Sequence, residues 1–116
     1  MSTTSKVVRL GELARTRSGD KGNRSNIGVV AMDARAYSWL DQHLTEAAVA
    51  AFFAPMGVGK VTRYPIPGLL AFNFVIDRAL AGGASRSCRI DTQGKALGVV
   101  MLELPIPDPR TEEHSP

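Results

Sequence analysis

The segment from Arg15 to Val29 constrains this chain more than any other. It crowds Arg15, Arg17, Lys21 and Arg24 together with Ser18, Asp20, Asn23, Ser25 and Asn26, and it sets Gly19, Gly22 and Gly28 among them. Gly19 and Gly22 admit a positive φ or a close backbone approach. Asp20 and Asn23 can accept from their own downstream amides, which closes a short segment into a turn. N–H groups gathered in such a turn form a nest for an anion, and Arg17, Lys21 and Arg24 flank it. Ser25 to Ala31 follows as a strand, with Ile27 and Val29 on one face and Gly28 and Val30 on the other.

A chain of 116 residues is one domain with room for a core. With 44% hydrophobic and 22% charged residues it has the make-up of a soluble globular protein. The net charge of +3 is concentrated: residues 6–24 hold six basic side chains against two acidic ones, and the rest nets −1. A basic segment of this kind serves a polyanion or nucleic acid, or stands as a solvated face. Cys88 is the only cysteine, so no internal disulfide forms and a reducing cytoplasm is expected. Two histidines exclude a histidine-rich metal cluster, and neither metal nor cofactor is expected. The polar opening residues lack the apolar core of a secretory leader, and no run is long enough to span a membrane.

Residues 1–5 read as a flexible arm, 6–104 as the folded domain and 105–116 as a proline-rich disordered tail. Lys6 to Leu10 alternates as a strand, and Gly11 to Arg17 continues irregularly into the glycine loop. Asp33 is placed to cap a helix to about Leu44, and Thr45 a second one stopped by Ala54-Pro55-Met56-Gly57. Lys60 to Tyr64 reads as a short strand ended by Pro65-Ile66-Pro67-Gly68. Leu69 to Leu80 reads as an apolar helix closed by Gly82 and Gly83. Ser87–Asp91 and Ala96–Leu104 read as a β-hairpin whose second arm is apolar on both faces, which calls for cover by a partner subunit. Together these predict an α+β fold: a ferredoxin-like two-layer sandwich, its mainly antiparallel sheet of about 4–5 strands carrying helices on one face.

Several motifs are narrower than they look. Gly19-Asp20-Lys21-Gly22 has the G-x-x-G form of a nucleic-acid clamp, but its flanks read as strands, Asp20 would repel phosphate, and no aromatic platform adjoins it. Nucleic-acid binding is therefore disfavoured. Gly59-Lys60 is not a P-loop, because Ala54 and Val61 stand where glycine and a hydroxyl residue are needed. Asp20 as acid or base and Lys21 as electrostatic partner are the catalytic candidates, against a plainer reading as turn cap and solvated cation. Asn73 and Asp77, one helical turn apart, can relay hydrogen bonds to the glycine loop. Gly82, Gly83 and Arg86 form a second small-residue and cation cluster suited to an anion. His43 reads as a helix boundary residue beside Trp39, and Cys88 as a small core residue.

Arg17-Ser-Gly-Asp-Lys-Gly-Asn23, Ser25-Asn-Ile-Gly28, Asn73-Phe74, Ala79-Leu80, Gly82-Gly83 and Arg86-Ser87 resemble the small C-terminal domain of AtuA-like proteins, a family named for acyclic terpene utilisation. The resemblance covers roughly residues 6–104. It implies a ferredoxin-like fold and a setting in acyl-CoA or branched-chain acid catabolism. Asp20, Lys21, Gly22, Asn26, Gly82, Gly83 and Arg86 carry over as family signature. In many relatives the domain follows a much larger one, which is expected here as a separate polypeptide. The expected role is an accessory subunit or standalone domain that pairs with itself or a larger AtuA-like subunit. Its ligand would be a CoA thioester or carboxylate held by Arg17, Ser18, Gly19, Asp20, Lys21, Gly22, Asn23, Asn26, Asn73, Gly82, Gly83 and Arg86. A small hydratase or isomerase using Asp20 on a CoA thioester is the alternative.

Overall fold

The computed structural model describes residues 6–21, 24–77 and 97–110, with residues 20 and 21 described by their backbone only. In chain order the elements are β1 (Val7–Arg9), a 3-10 turn (Leu10–Glu12), β2 (Ala14–Lys21), β3 (Arg24–Ala31), α1 (Ala34–His43) and α2 (Glu46–Phe53). A second 3-10 turn (Ala54–Met56) leads to β4 (Val61–Ile66), a third (Pro67–Leu69) to β5 (Ala71–Asp77), and α3 (Leu97–Met101) and β6 (Pro105–Pro107) come last. The four longer strands form an antiparallel sheet in the order β2-β3-β5-β4, and β1 pairs with β6 in a separate two-stranded sheet. This is a ferredoxin-like α+β domain with an open sheet.

The helix starts follow from local chemistry. Asp33 accepts a hydrogen bond from the Ala36 N–H at 2.8 Å, and Thr45 accepts one from the Ala48 N–H at 3.0 Å. Each satisfies an N–H that the first helical turn leaves without a partner. Gly57, at φ 79°, turns the chain out of the second 3-10 segment in a conformation that a side chain would strain.

Alternation along the strands sorts the sheet into two faces. Ile27, Val29, Phe72, Phe74 and Ile76 are buried on one of them, with Val61 and Ala14 beside them. The helices lie on this face. Tyr37 of α1 stacks on Phe72 with ring centroids 4.6 Å apart. Gly98 of α3 sits against β2: a Cβ there would come within 3.2 Å of Thr16 Oγ1 and 3.3 Å of Ser18. The Thr16 hydroxyl donates to the Gly98 carbonyl at 2.7 Å. Arg63 of β4 donates through Nη1 to the carbonyls of Asp41 and Leu44, and its guanidinium lies 4.9 Å from the Phe72 ring centre. A cation at the C-terminal end of α1 complements the helix dipole and ties that end to the sheet.

Four expectations from the sequence do not survive. Residues 71–77 are a central strand, not part of a helix over 69–80. Phe72, Phe74 and Ile76 face the core while Asn73, Val75 and Asp77 are half-buried, a period of two hidden by the continuous apolar run. Residues 97–101 are helical instead of the second arm of a hairpin: Leu97 and Met101, four apart, are both buried. The strand with two apolar faces therefore does not form, and no partner subunit is needed to cover it. The first arm of that hairpin, its turn, and Gly82 and Gly83 lie outside the described residues. Residues 105–107, expected to belong to a disordered tail, are part of the fold: β6 pairs Val8 with Ile106, and Trp39 donates from Nε1 to the Pro107 carbonyl at 2.7 Å. Finally, residues 14–21 are extended, so the irregular stretch expected up to Arg17 gives way to a strand running to Lys21, while the turn expected through Gly22 and Asn23 lies outside the described residues. The strand over 60–64 also runs on through Pro65 to Ile66, which an edge strand tolerates.

Asp108, buried just past β6, accepts from the Arg110 backbone N–H at 2.9 Å and from its guanidinium at 3.0 and 3.1 Å. The side-chain hydrogen bonds from Arg110, followed by the backbone one, hold its carboxyl below the ordinary value of 3.8 despite the opposing effect of burial. A lowered pKa stabilises the fold fully above the ordinary value, and that contribution is lost as pH falls through the lower folded-state value. Asp108→Asn is expected to lower stability at neutral pH, and the deficit should shrink in strong acid. Urea melts at the two pH values check it; a deficit independent of pH would contradict the assignment.

Candidate open-face ligand site

The face of the sheet opposite the helices is uncovered by any described helix. Strand register places Arg17, Gly28, Asn73 and Tyr64 in one row across it, from β2 through β3 and β5 to β4. Gly19, Asn26, Val75 and Thr62 form the next row, and Arg15, Val30, Ala71 and Ile66 the row on the other side. Adjacent strands are about 4.8 Å apart, so a row spans roughly 14 Å from β2 to β4.

Two glycines lie on this face, Gly19 on the edge strand β2 and Gly28 on its neighbour β3. A Cβ on Gly19 would meet nothing within 4 Å, and one on Gly28 would meet only the Arg17 carbonyl oxygen at 3.9 Å. Neither residue has a positive φ. Among the described residues, neither backbone conformation nor packing requires glycine at these two positions. Glycine inside a strand costs stability and marks a place where another group approaches closely.

The rim supplies charge and amides. Arg15 and Arg17 are exposed, and among the described residues neither has a carboxylate partner; Arg24, by contrast, pairs with Asp77 at 3.3 Å. Asn26 and Asn73 are half-buried, and no described residue hydrogen-bonds to either side-chain amide. Tyr64 is 52% exposed with no ring contact among the described residues. The face thus presents two cations, two amides and an aromatic ring without partners among the described residues, beside Gly19 and Gly28. It can hold an anion and its attached group by charge-assisted hydrogen bonds.

Of the residues singled out from the sequence, Arg17, Gly19, Asn26 and Asn73 meet on this face. Asn73 and Asp77 share a side of β5 as alternate strand residues. Ser18 belongs to the opposite face, against Gly98. Asp20 and Lys21 end β2, in register with Ser25 and Arg24. Gly22, Asn23, Gly82, Gly83 and Arg86 lie outside the described residues. Sequence reasoning missed Gly28, Tyr64 and Arg15 as members of the face. The signal for Gly28 was present, since the alternation of Ile27 and Val29 already put it on the other face of β3. His43 ends α1 with its ring 4.2 Å from Trp39, as expected of a boundary residue.

A second concavity of about 310 Å³ lies between the β1 side and α1, bordered by Leu13, Met32, Ala36, Asp108 and Arg110. Its carboxylates are already engaged: Glu12 accepts from the Arg9 N–H, Asp33 caps α1 and Asp108 binds Arg110. No group of histidine, cysteine, aspartate and glutamate among the described residues is placed to hold a metal ion. No described helix is long and apolar enough to cross a membrane.

Strand order and register together define a ferredoxin-like α+β domain with an open sheet. The profile of the AtuA ferredoxin-like domain matches residues 8–107, and the chain belongs to that family. No curated protein and no solved structure matches the chain.

Proposed function

We propose that this chain is an accessory subunit or standalone domain in acyl-CoA or branched-chain acid catabolism, whose open sheet face binds an anionic ligand. The observation that carries this reading is the pair of strand glycines, Gly19 and Gly28, opening a notch beside an Arg17 without a described counterion. The metabolic setting is supported by membership of the AtuA ferredoxin-like family. A carboxylate or a phosphate of a CoA thioester fits the donors available: one guanidinium can hold either in a bidentate way, and the Asn26 and Asn73 amides complete the shell. The face is net basic through Arg15 and Arg17. A second copy packed on it would bring like charges together, so a larger AtuA-like subunit with an acidic surface is the better protein partner.

Thermal-shift measurements test the site with CoA, acyl-CoAs, small carboxylates and phosphate. A ligand stabilises the state it binds, by about 2.7 kcal/mol at a hundredfold excess over its Kd. Arg17→Ala and Asn73→Ala are each expected to reduce the shift while leaving the unliganded melting temperature nearly unchanged. A shift of native size in both variants would move the site off this face.

A further inference from the structure

We infer that the group bound on the open face is a nucleoside diphosphate moiety, its diphosphate on Arg15 and Arg17 and its base against Tyr64. The inference rests on the anion-site reading above and names the class of ligand. Arg15 and Arg17 project from the same face of β2, two residues or about 7 Å apart along the strand. Both are exposed, and no described carboxylate compensates either. A single carboxylate is saturated by one guanidinium fork, whereas a diphosphate offers two adjacent anionic centres for two forks.

The rest of the row accommodates the sugar and the base. Gly28 leaves an open floor beside Arg17, so a sugar can lie directly on the backbone. Asn73 comes next, with both donors and an acceptor for sugar hydroxyls. Tyr64 closes the row at the far strand, its ring exposed. A base stacks on such a ring without regard to its identity. The row of roughly 14 Å matches the length of an extended nucleoside diphosphate, and its order of cation, gap, amide and aromatic ring matches that molecule's order of groups.

Isothermal titration of the full chain with ADP, pyrophosphate, adenosine and acetate tests this. ADP is expected to bind roughly tenfold tighter than pyrophosphate, with adenosine and acetate weaker still. Tyr64→Ala should erase the advantage of ADP and leave pyrophosphate unchanged, Tyr64→Phe should restore it, and Arg17→Ala should weaken both ligands. ADP binding no tighter than pyrophosphate, or unaffected by Tyr64→Ala, would overturn the inference. Acetate binding as tightly as ADP would overturn it too while leaving the anion site standing. Binding of none of these anions would remove both readings.

Discussion

Replacing Phe72 by alanine is expected to destabilise the domain by about 3–5 kcal/mol. Phe72 is fully buried in the central strand β5. Its ring stacks on Tyr37 with an interplanar angle of 11°, and Arg63 lies over it at 4.9 Å. Removing the ring leaves a cavity between sheet and α1. It also takes away the aromatic surface against which Arg63 is held while it bonds the last carbonyls of α1. Domains of this size are stable by about 5–15 kcal/mol, so the variant should melt far below the native protein. Urea denaturation followed by circular dichroism measures it. A loss under about 1 kcal/mol would show that the site collapses around the gap and that Phe72 is not the contact joining the layers.

The second large effect concerns binding alone. Gly28→Val should abolish ligand binding on the open face while the fold keeps, or slightly gains, stability. Valine is favoured in strands, whereas glycine in a strand interior is less stable than alanine by roughly 0.5–1 kcal/mol. The backbone at Gly28 is not in the left-handed region, and an added Cβ finds only the Arg17 carbonyl oxygen at 3.9 Å. The valine methyls would fill the notch between Arg17 and Asn73. Thermal shift with and without CoA separates the two quantities. If the variant melts as high as the native chain and still responds to ligand, the notch is not the site. If it melts much lower, the close approach is internal to the protein.

Elements set by neighbours in sequence were legible. Asp33 and Thr45 stand at their helix starts with side-chain caps, and the segment 54–57 stops α2 in a 3-10 turn that ends on Gly57. β3 runs over Arg24–Ala31 with Ile27 and Val29 inward. These depend on a capping oxygen, a proline or a short alternation, all within a few residues. β5 and α3 exchange the helix and strand expected of them for one common reason. Ala71 to Ile76 and Leu97 to Leu104 are apolar at nearly every position, so period two and period 3.6 describe them almost equally well. In β5 the choice came from pairing on both sides, with β3 and with β4. In α3 it came from the close seat of Gly98 against Thr16 and Ser18, which an extended arm would not supply.

The candidate site was half legible. Arg17, Gly19 and Asn26 stand out in the sequence because charge, glycine and amide are dense in one segment. Their setting is extended, with Arg17 and Gly19 on β2 and Asn26 on β3, while the turn expected through Gly22 and Asn23 lies outside the described residues. Asn73 is conspicuous as a polar residue in an apolar run, yet that run is a strand and not a helix. Tyr64 carries no signal at all, since a lone tyrosine beside a proline on an edge strand is ordinary.

By itself, then, the sequence determined the class of the fold, the caps, the breakers and the concentration of cations and glycines between Arg15 and Val29. Those are properties of composition and of contacts a few residues long. The tertiary structure alone decided that Arg17, Gly28, Asn73 and Tyr64 stand in one row, on the face the described helices leave open. A row across a sheet is fixed by register between strands up to dozens of residues apart, and a slip of one residue would turn each side chain to the other face.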